Sequence, residues 1–400
     1  MRTKSSEALL ALVVAMALAV SVAACGGSSS SQKGSGGSNG SGSSGSNSST
    51  NASGSGGSSS NSAGNAGLVA AQAALKPYIG QPSPFPVTEK LQHSVKGAHI
   101  AFVSDGTPIS ALLYKIMAGA AKTLGADFTQ YNAGTSAATT ASAFNSVIAA
   151  KPAAVIVGGI DVQLWSSQLK QLQADKIPVI TTGTVGTAPY GIKFPQAAEN
   201  ASSMEGRLMA DYVRAKFGPS SKVAFYDIPE LSFTPIVTKG FETELAKVCP
   251  TCSVRVVHIP IATIGNTAPQ TIVEDLQSHP GTTVAAFASD ETETGLPAAL
   301  ASAGIKVKTI GASPSPVNLE YLKNGQESAV LGVDIGVLGW ELVDLAAREI
   351  GGQAPAGAEA QGLAAYQFLT KGDITFNPSN GWSGYPDFPQ RFAKLWGVTG

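Results

Sequence analysis

From about His99 to Val333 the chain alternates between two patterns. Short apolar runs rich in β-branched residues recur as AHIAFV, DFTQY, AAVIVGG, IPVITTG, KVAFYDI, SVRVVHI, TVAAFAS, VKTIGA and ESAVLGVDI. Between them lie longer stretches with apolar residues at helical spacing, among them SALLYKIMAGAAKTLG and LWSSQLKQLQADK. Strands without a polar face belong in sheets covered on both sides, and the intervening helices are the covers. Right-handed βαβ connections wind such strands into doubly wound sheets. The predicted fold is α/β with parallel sheets.

The series occurs twice. AFVSD, AAVIVGGID and IPVITTG fill residues 98–182, and VAFYDIP, VAAFASDE and VKTIGAS fill residues 222–313. Two doubly wound lobes with a cleft between them follow, and the stretch after Tyr190 carries the first crossover. Ligands of doubly wound sheets bind beyond the C-terminal strand ends. In lobe 1 those ends offer Asp105, Thr107, Asp161, Trp165 and Thr182. In lobe 2 they offer Asp227, Phe233, Ser289, Asp290 and Ser313, with Asp334 at the second crossover. Carboxylates and hydroxyls there can bond a polar solute, and an aromatic face can cover an apolar ring face. Each candidate also has a purely structural use. Asp105, Asp161, Asp290 and Glu291 sit where a helix needs an N-cap or an acid in its first turn, and Trp165 and Phe233 can simply pack on a sheet. These loops contain no Arg or Lys, the usual partners of phosphate or free carboxylate. A neutral or cationic small molecule is therefore expected.

The start of the chain has a different pattern. Arg2 and Lys4 precede the apolar stretch ALLALVVAMALAV, which has the length of a signal-peptide core and is short for a membrane span. Val22, Ala23 and Ala24 then lead into Cys25. This resembles the lipobox of bacterial lipoproteins and implies cleavage before Cys25 and lipidation of its thiol. An ordinary secretory signal is the other reading. Residues 26–67 are almost wholly Gly, Ser, Asn and other small residues, too poor in bulky apolar side chains to fold. They are expected to form a disordered tether with a reach of about 30–40 Å. Residues 68–97 lead into the first lobe.

Composition removes several function classes. With a net charge of −1 and 13% charged residues the chain has no basic stripe for nucleic acid. Cys249 and Cys252, in VCPTCSVRVVHI, follow a helical stretch and precede a strand, so a helix dipole would act the wrong way for a reactive CxxC. A disulfide is expected in an exported chain. There is no second CxxC for zinc, and no metal or cofactor is expected. The sequence lacks GxSxG, HExxH and GxxxxGK[ST], and no GxGxxG follows a strand, so a binder rather than an enzyme is expected.

The segments IAFVSDGTPISALLYKIMAGAAKTLGADF, NSVIAAKPAAVIVGGID, LKQLQADKIPVITTGT, KVAFYDIPE with VTKGF, and FASDETETGLPAALASAGI arrive in one order. In that order the chain resembles the type I periplasmic binding proteins, over about residues 95–350. The ending GYPDFPQRFAKLWGV also resembles lipoproteins of that group. The resemblance implies extracytoplasmic capture of a sugar or sugar-like solute, as a monomer, for an ABC permease, with the chain held at the outer membrane face. It also implies three hinge crossovers, placed near Pro195, Gly336 and Gly372. Lobe 1 is then 98–194 plus 336–371, and lobe 2 is 195–335 plus 372–400. A sensor subunit feeding a membrane receptor, or a binder of a cationic or aromatic non-sugar solute, would use the same lobes. Sugar sites of the family use aromatic faces with Asp, Asn and Arg. Here the corresponding positions are Thr182-Gly183, Ser289 before Asp290, Ser313, and FTPIV, which has no basic residue.

Overall fold

The structure is a computed structural model, and it describes residues 58–398 apart from Thr135 and Ala356. Cys25 and the leader lie outside the described residues. Helix α1, Ser58–Leu75, comes first. Lobe 1 is then built from β1 (His99–Ser104), α2 (Pro108–Leu124), β2 (Asp127–Asn132), α3 (Ala137–Ala150), β3 (Ala154–Gly158), α4 (Ser166–Ala174), β4 (Val179–Thr182) and the short β5 (Pro195–Gln196). The chain crosses to lobe 2 and forms α5 (Glu199–Tyr212), β6 (Lys222–Asp227), α6 (Thr234–Val248), β7 (Ser253–His258), α7 (Ala268–Ser278) and β8 (Val284–Phe287). It continues through α8 (Leu296–Ala303), β9 (Lys308–Ala312), α9 (Pro316–Asn324) and β10 (Ala329–Val333). Helix α10 (Ile335–Gly351) returns to lobe 1, and α11 (Ala358–Gln361), β11 (Tyr366–Leu369) and α12 (Phe388–Leu395) complete the chain.

Among the described residues lobe 1 holds a parallel sheet of order β2-β1-β3-β4-β5, and lobe 2 a sheet of order β11-β10-β9-β8-β6-β7. All pairs are parallel except β10 with β11, which run antiparallel from Val330 opposite Leu369 to Val333 opposite Tyr366. The central strands are buried throughout, as their unbroken apolar runs require: β1, β3, β8 and β10 expose almost nothing. None of the described helices is long and apolar enough to cross a membrane.

Three expectations about boundaries change. The sequence extends the tether to Gly67, yet α1 begins at Ser58 and packs on α5 and α6 of lobe 2. Arg214 donates to the Gly64 carbonyl at 2.6 Å, and Gly67 lies so close to the Val248 carbonyl that a Cβ would come within 2.2 Å of it. Ala71 and Leu75 are buried behind this contact. Small residues that cannot build a core can still fit a helix tightly against another backbone. The first two crossovers fall between Gln196 and Glu199 and between Val333 and Ile335. The third is not near Gly372 but between Gly352 and Tyr366, because β11 already belongs to the lobe 2 sheet. The tail is also reassigned: α12 packs on α10 and α2, in lobe 1. Phe392 is buried against Trp340, and the Trp396 indole donates to Asp344 of α10 at 2.5 Å.

Two reciprocal glycines set the position of α5. A Cβ at Gly206 would stand 2.0 Å from the Val237 carbonyl oxygen, and one at Gly240 would stand 2.5 Å from that of Ser203. The α5 and α6 backbones therefore touch, which only glycine permits at these positions.

Candidate functional site

A cleft of about 810 Å³, counted out to its mouth, opens between the C-terminal strand ends of the two lobes. Lobe 1 contributes Asp105, Thr107, Ile109 and Ser110 from the β1–α2 turn, the Gly158-Gly159 pair after β3, and Thr182. Lobe 2 contributes Ser202 and Glu205 of α5, Leu231 and Phe233, Ser289 and Glu291, and Ser313. Val333, Ile335 and Leu338 form the floor at the second crossover. No Lys or Arg is among the described lining residues.

The β1–α2 turn is rigid because Asp105 ties it together. Its Oδ1 accepts the Thr107 backbone N–H at 3.0 Å, the Thr107 hydroxyl at 3.0 Å and the Ser110 hydroxyl at 2.5 Å. Thr107 caps α2, accepting from the Ser110 N–H, with Pro108 as the first helical residue. The second oxygen, Oδ2, lies beside Gly159, whose φ is +71° and whose Cβ, if present, would sit 2.6 Å from it. Glycine there keeps both a left-handed backbone and access to the carboxylate. Ser313 holds φ +60° without being glycine. A non-glycine residue in this region costs of order 1 kcal/mol and marks a constrained loop.

Two acids face the cleft from lobe 2. Glu205 is buried on α5, its Oε1 accepting from the Tyr366 hydroxyl at 3.1 Å. Burial pushes it from 4.5 up to about 7, against the lowering effect of that hydrogen bond. Glu291 reaches across the cleft and accepts the Ile109 N–H at the start of α2 at 3.0 Å. Burial raises it to about 7 as well; the Ile109 bond opposes the shift and the Asp105 charge adds to it. This bond links the two lobes directly.

The family of the periplasmic binding protein domain matches residues 100–354. The chain belongs to that family. Solved structures agree on the fold of this periplasmic binding protein. A solute-binding protein of an ABC transporter from Agrobacterium vitis, bound with α-D-tagatopyranose, superposes with a TM-score of 0.60 at 22% identity, covering 70% of this chain and 96% of that one. One from Actinobacillus succinogenes 130z with D-allose gives 0.62 at 18% identity, covering 69% and 99%. A carbohydrate transporter protein from Acidothermus cellulolyticus 11B in complex with myo-inositol gives 0.59 at 16% identity, covering 74% and 99%. The fold is the type I periplasmic binding fold. No curated protein sequence matches the chain.

Of the sequence candidates, the cleft of this periplasmic binding protein brings together Asp105, Thr107, Thr182, Phe233, Ser289 and Ser313. Five others point elsewhere. Asp161 is exposed and caps the turn that begins at Val162, accepting the Gln163 N–H at 2.8 Å. Trp165 is fully buried beneath the lobe 1 sheet, stacked on Phe144 at 4.5 Å between ring centres. Asp227 turns away to bond His258 at 2.5 Å and the Thr238 hydroxyl at 3.0 Å. Asp290 is fully buried against Gly311 inside lobe 2. Asp334 caps α10 at Val337 and accepts from Ser383 and Gly384, pinning the tail to the crossover. Asp161 and Asp334 are used as helix caps and Trp165 in packing, and for Asp227 and Asp290 a strand-end position does not fix which neighbour meets the cleft.

Among the lining residues that the sequence does not single out are Ser110, Ser202, Glu205 and Leu231. Glu205 carried a signal. It shares the buried stripe of α5 with Ala201, Leu208, Met209 and Tyr212, and a carboxylate on an apolar stripe calls for an explanation. Cys249 and Cys252 stand with Cα atoms 5.3 Å apart and sulfurs joined, at the start of β7 and away from the cleft mouth.

Proposed function

We propose that this periplasmic binding protein captures a small neutral or cationic polyhydroxy solute between its lobes and hands it to an ABC permease. The observation that carries the reading is the charge of the cleft: three carboxylates and several hydroxyls line it, and no Lys or Arg does. Asp105, Glu205 and Glu291 can accept hydrogen bonds from hydroxyls or an amine, and Phe233 can cover a ring face. The structural neighbours' bound compounds, a tagatopyranose, an allose and an inositol, belong to the neutral polyhydroxy class. Ligand release then depends on the three crossovers acting as hinges, the common motion of two-lobed binders. The chain works outside the cytoplasm as a monomer, attached through lipid on Cys25, and performs no catalytic step.

A thermal-shift screen of sugars, polyols, amino sugars, amines, amino acids and sugar phosphates tests the reading. A solute that binds only the folded chain adds about 2.7 kcal/mol at 100 times its dissociation constant. Hits among neutral or cationic compounds are expected; hits confined to acidic or phosphorylated compounds overturn it. Replacement of Cys25 by Ala should release the protein from the membrane fraction, and unchanged retention overturns the lipid anchor.

A further inference from the structure

The segment after β8 divides its acids between two sides. Ser289 and Glu291 face the cleft, while Asp290 and Glu293 turn into lobe 2. There they meet Glu327, from the turn between α9 and β10. One oxygen from each of the three side chains lies within 4.8 Å of the others. Asp290 and Glu293 are 0% exposed and Glu327 is 3% exposed. No N–H or hydroxyl donor reaches any of the six carboxylate oxygens, and the Asp290 and Glu327 carboxyl groups lie at hydrogen-bond distance from each other. No ion pair among the described residues involves them, and the nearby Asn318 amide donates instead to the Asp290 backbone carbonyl at 2.8 Å. The shape of the place is fitted to the acids too: a Cβ on Gly311 would overlap Asp290 Oδ1 at 1.8 Å.

Three wholly buried carboxyl groups without a donor or a counter-charge must either hold protons or coordinate a metal, because an isolated buried charge is too costly. We propose that Asp290, Glu293 and Glu327 form a structural site for a hard divalent cation of the calcium type. Calcium takes oxygen ligands at about 2.3–2.6 Å, so two ligands on opposite sides stand about 4.6–5.2 Å apart. That span is the greatest separation two ligands of one ion can have, and the three oxygens lie within it. A buried site with six carboxylate oxygens can supply bidentate ligands, which suits calcium better than magnesium, an ion that keeps several waters and rarely sits in an all-protein cage. The cation would lower the cluster's charge from minus three to minus one. It would also clamp the segment that carries Ser289 and Glu291 to the turn that leads into β10. The site departs from the metal-free chain expected on sequence, and it does not rest on the proposed solute.

The test uses the purified exported chain without solute. Metal content after gel filtration in 1 mM calcium, and melting temperature in EDTA and after calcium is restored, give two readouts on the unaltered protein. About one calcium per chain and a melting temperature that falls in EDTA and returns with calcium are expected. Glu327→Gln should remove the bound calcium and the EDTA response. An unaltered protein that retains no calcium and melts at the same temperature with and without it overturns the site. In that case Glu327→Gln melts higher than the parent at pH 8, the sign of a cluster that stays folded by holding protons.

Discussion

The two walls of the cleft are built differently. The lobe 1 wall is finished before any solute arrives: Asp105 Oδ1 already holds Thr107 and Ser110, and Thr107 already caps α2. The lobe 2 wall is only half satisfied. Glu205 has the single Tyr366 hydroxyl, and Glu291 borrows its donor from the opposite lobe. Both lobe 2 acids are lifted to about 7, whereas the Asp105 turn is half-buried and held by its own hydrogen bonds. A rigid wall gives orientation at little cost on binding. A wall with unsatisfied acceptors gains more when a solute supplies donors, because each buried acceptor without a donor costs about 1–3 kcal/mol. The difference assigns orientation to lobe 1 and the driving polar contacts to lobe 2.

The largest expected effect tests whether the lobe 2 wall depends on the touching helices. Gly206→Ala places a Cβ into the Val237 carbonyl and should destabilise by about 3 kcal/mol. For a chain of this size that is roughly a 6 °C fall in Tm. Solute binding should weaken with it, since α5 carries Ser202 and Glu205; an unchanged Tm would show that α5 is free to shift. Next in size is the Cys249–Cys252 pair. Replacing both by Ser should lower stability by about 2 kcal/mol through the small closed loop. Affinity should not change, because the pair lies at the other end of the strands from both walls. A loss of affinity would join regions that the structure separates.

Asp105→Asn should weaken solute binding about tenfold, or about 1.4 kcal/mol, with a smaller change in Tm, in keeping with an orienting role. Calorimetric titration and a melting curve on one preparation check this together. A separate effect concerns pH. The native state keeps Glu205 protonated to about pH 7, while the unfolded chain releases that proton near 4.5. In that window the native state holds more protons, so this group makes stability fall as pH rises from 4.5 to about 7. Asp211, raised to about 7, and Asp334, raised to about 6, act in the same sense, each through burial first. Glu205→Gln should therefore show a shallower fall than the parent across this window. Equal slopes in urea titrations at pH 5 and pH 7 would remove Glu205 from the account.

Much of the fold was legible because its signals are local and repeated. Unbroken apolar runs such as AAVIVGG read as covered strands, and their order shows two sheet series with the stretch after Tyr190 passing between them. What escaped was short or unusual in composition. β11, YQFL, is a four-residue antiparallel edge, too brief for period or length to distinguish it from a loop. α1 is made largely of Ser, Gly, Asn and Ala, a composition that reads as coil until another helix offers a backbone to pack on. In the cleft, the loops were legible and the directions within them were not. Asp290 and Glu291 are neighbours with the same chemistry, and only the three-dimensional turn sends one into lobe 2 and the other into the cleft. Glu205 lay on a helix that strand-end reasoning never reaches.

The central claim is that one solute touches both walls at once. Calorimetric titration of the best solute into the parent, Asp105→Ala, Phe233→Ala and the double variant tests it most directly. Each single change should weaken binding about tenfold, and the double change about a hundredfold or more, about 2.7 kcal/mol. A solute whose affinity survives the loss of both side chains would contradict capture between the lobes.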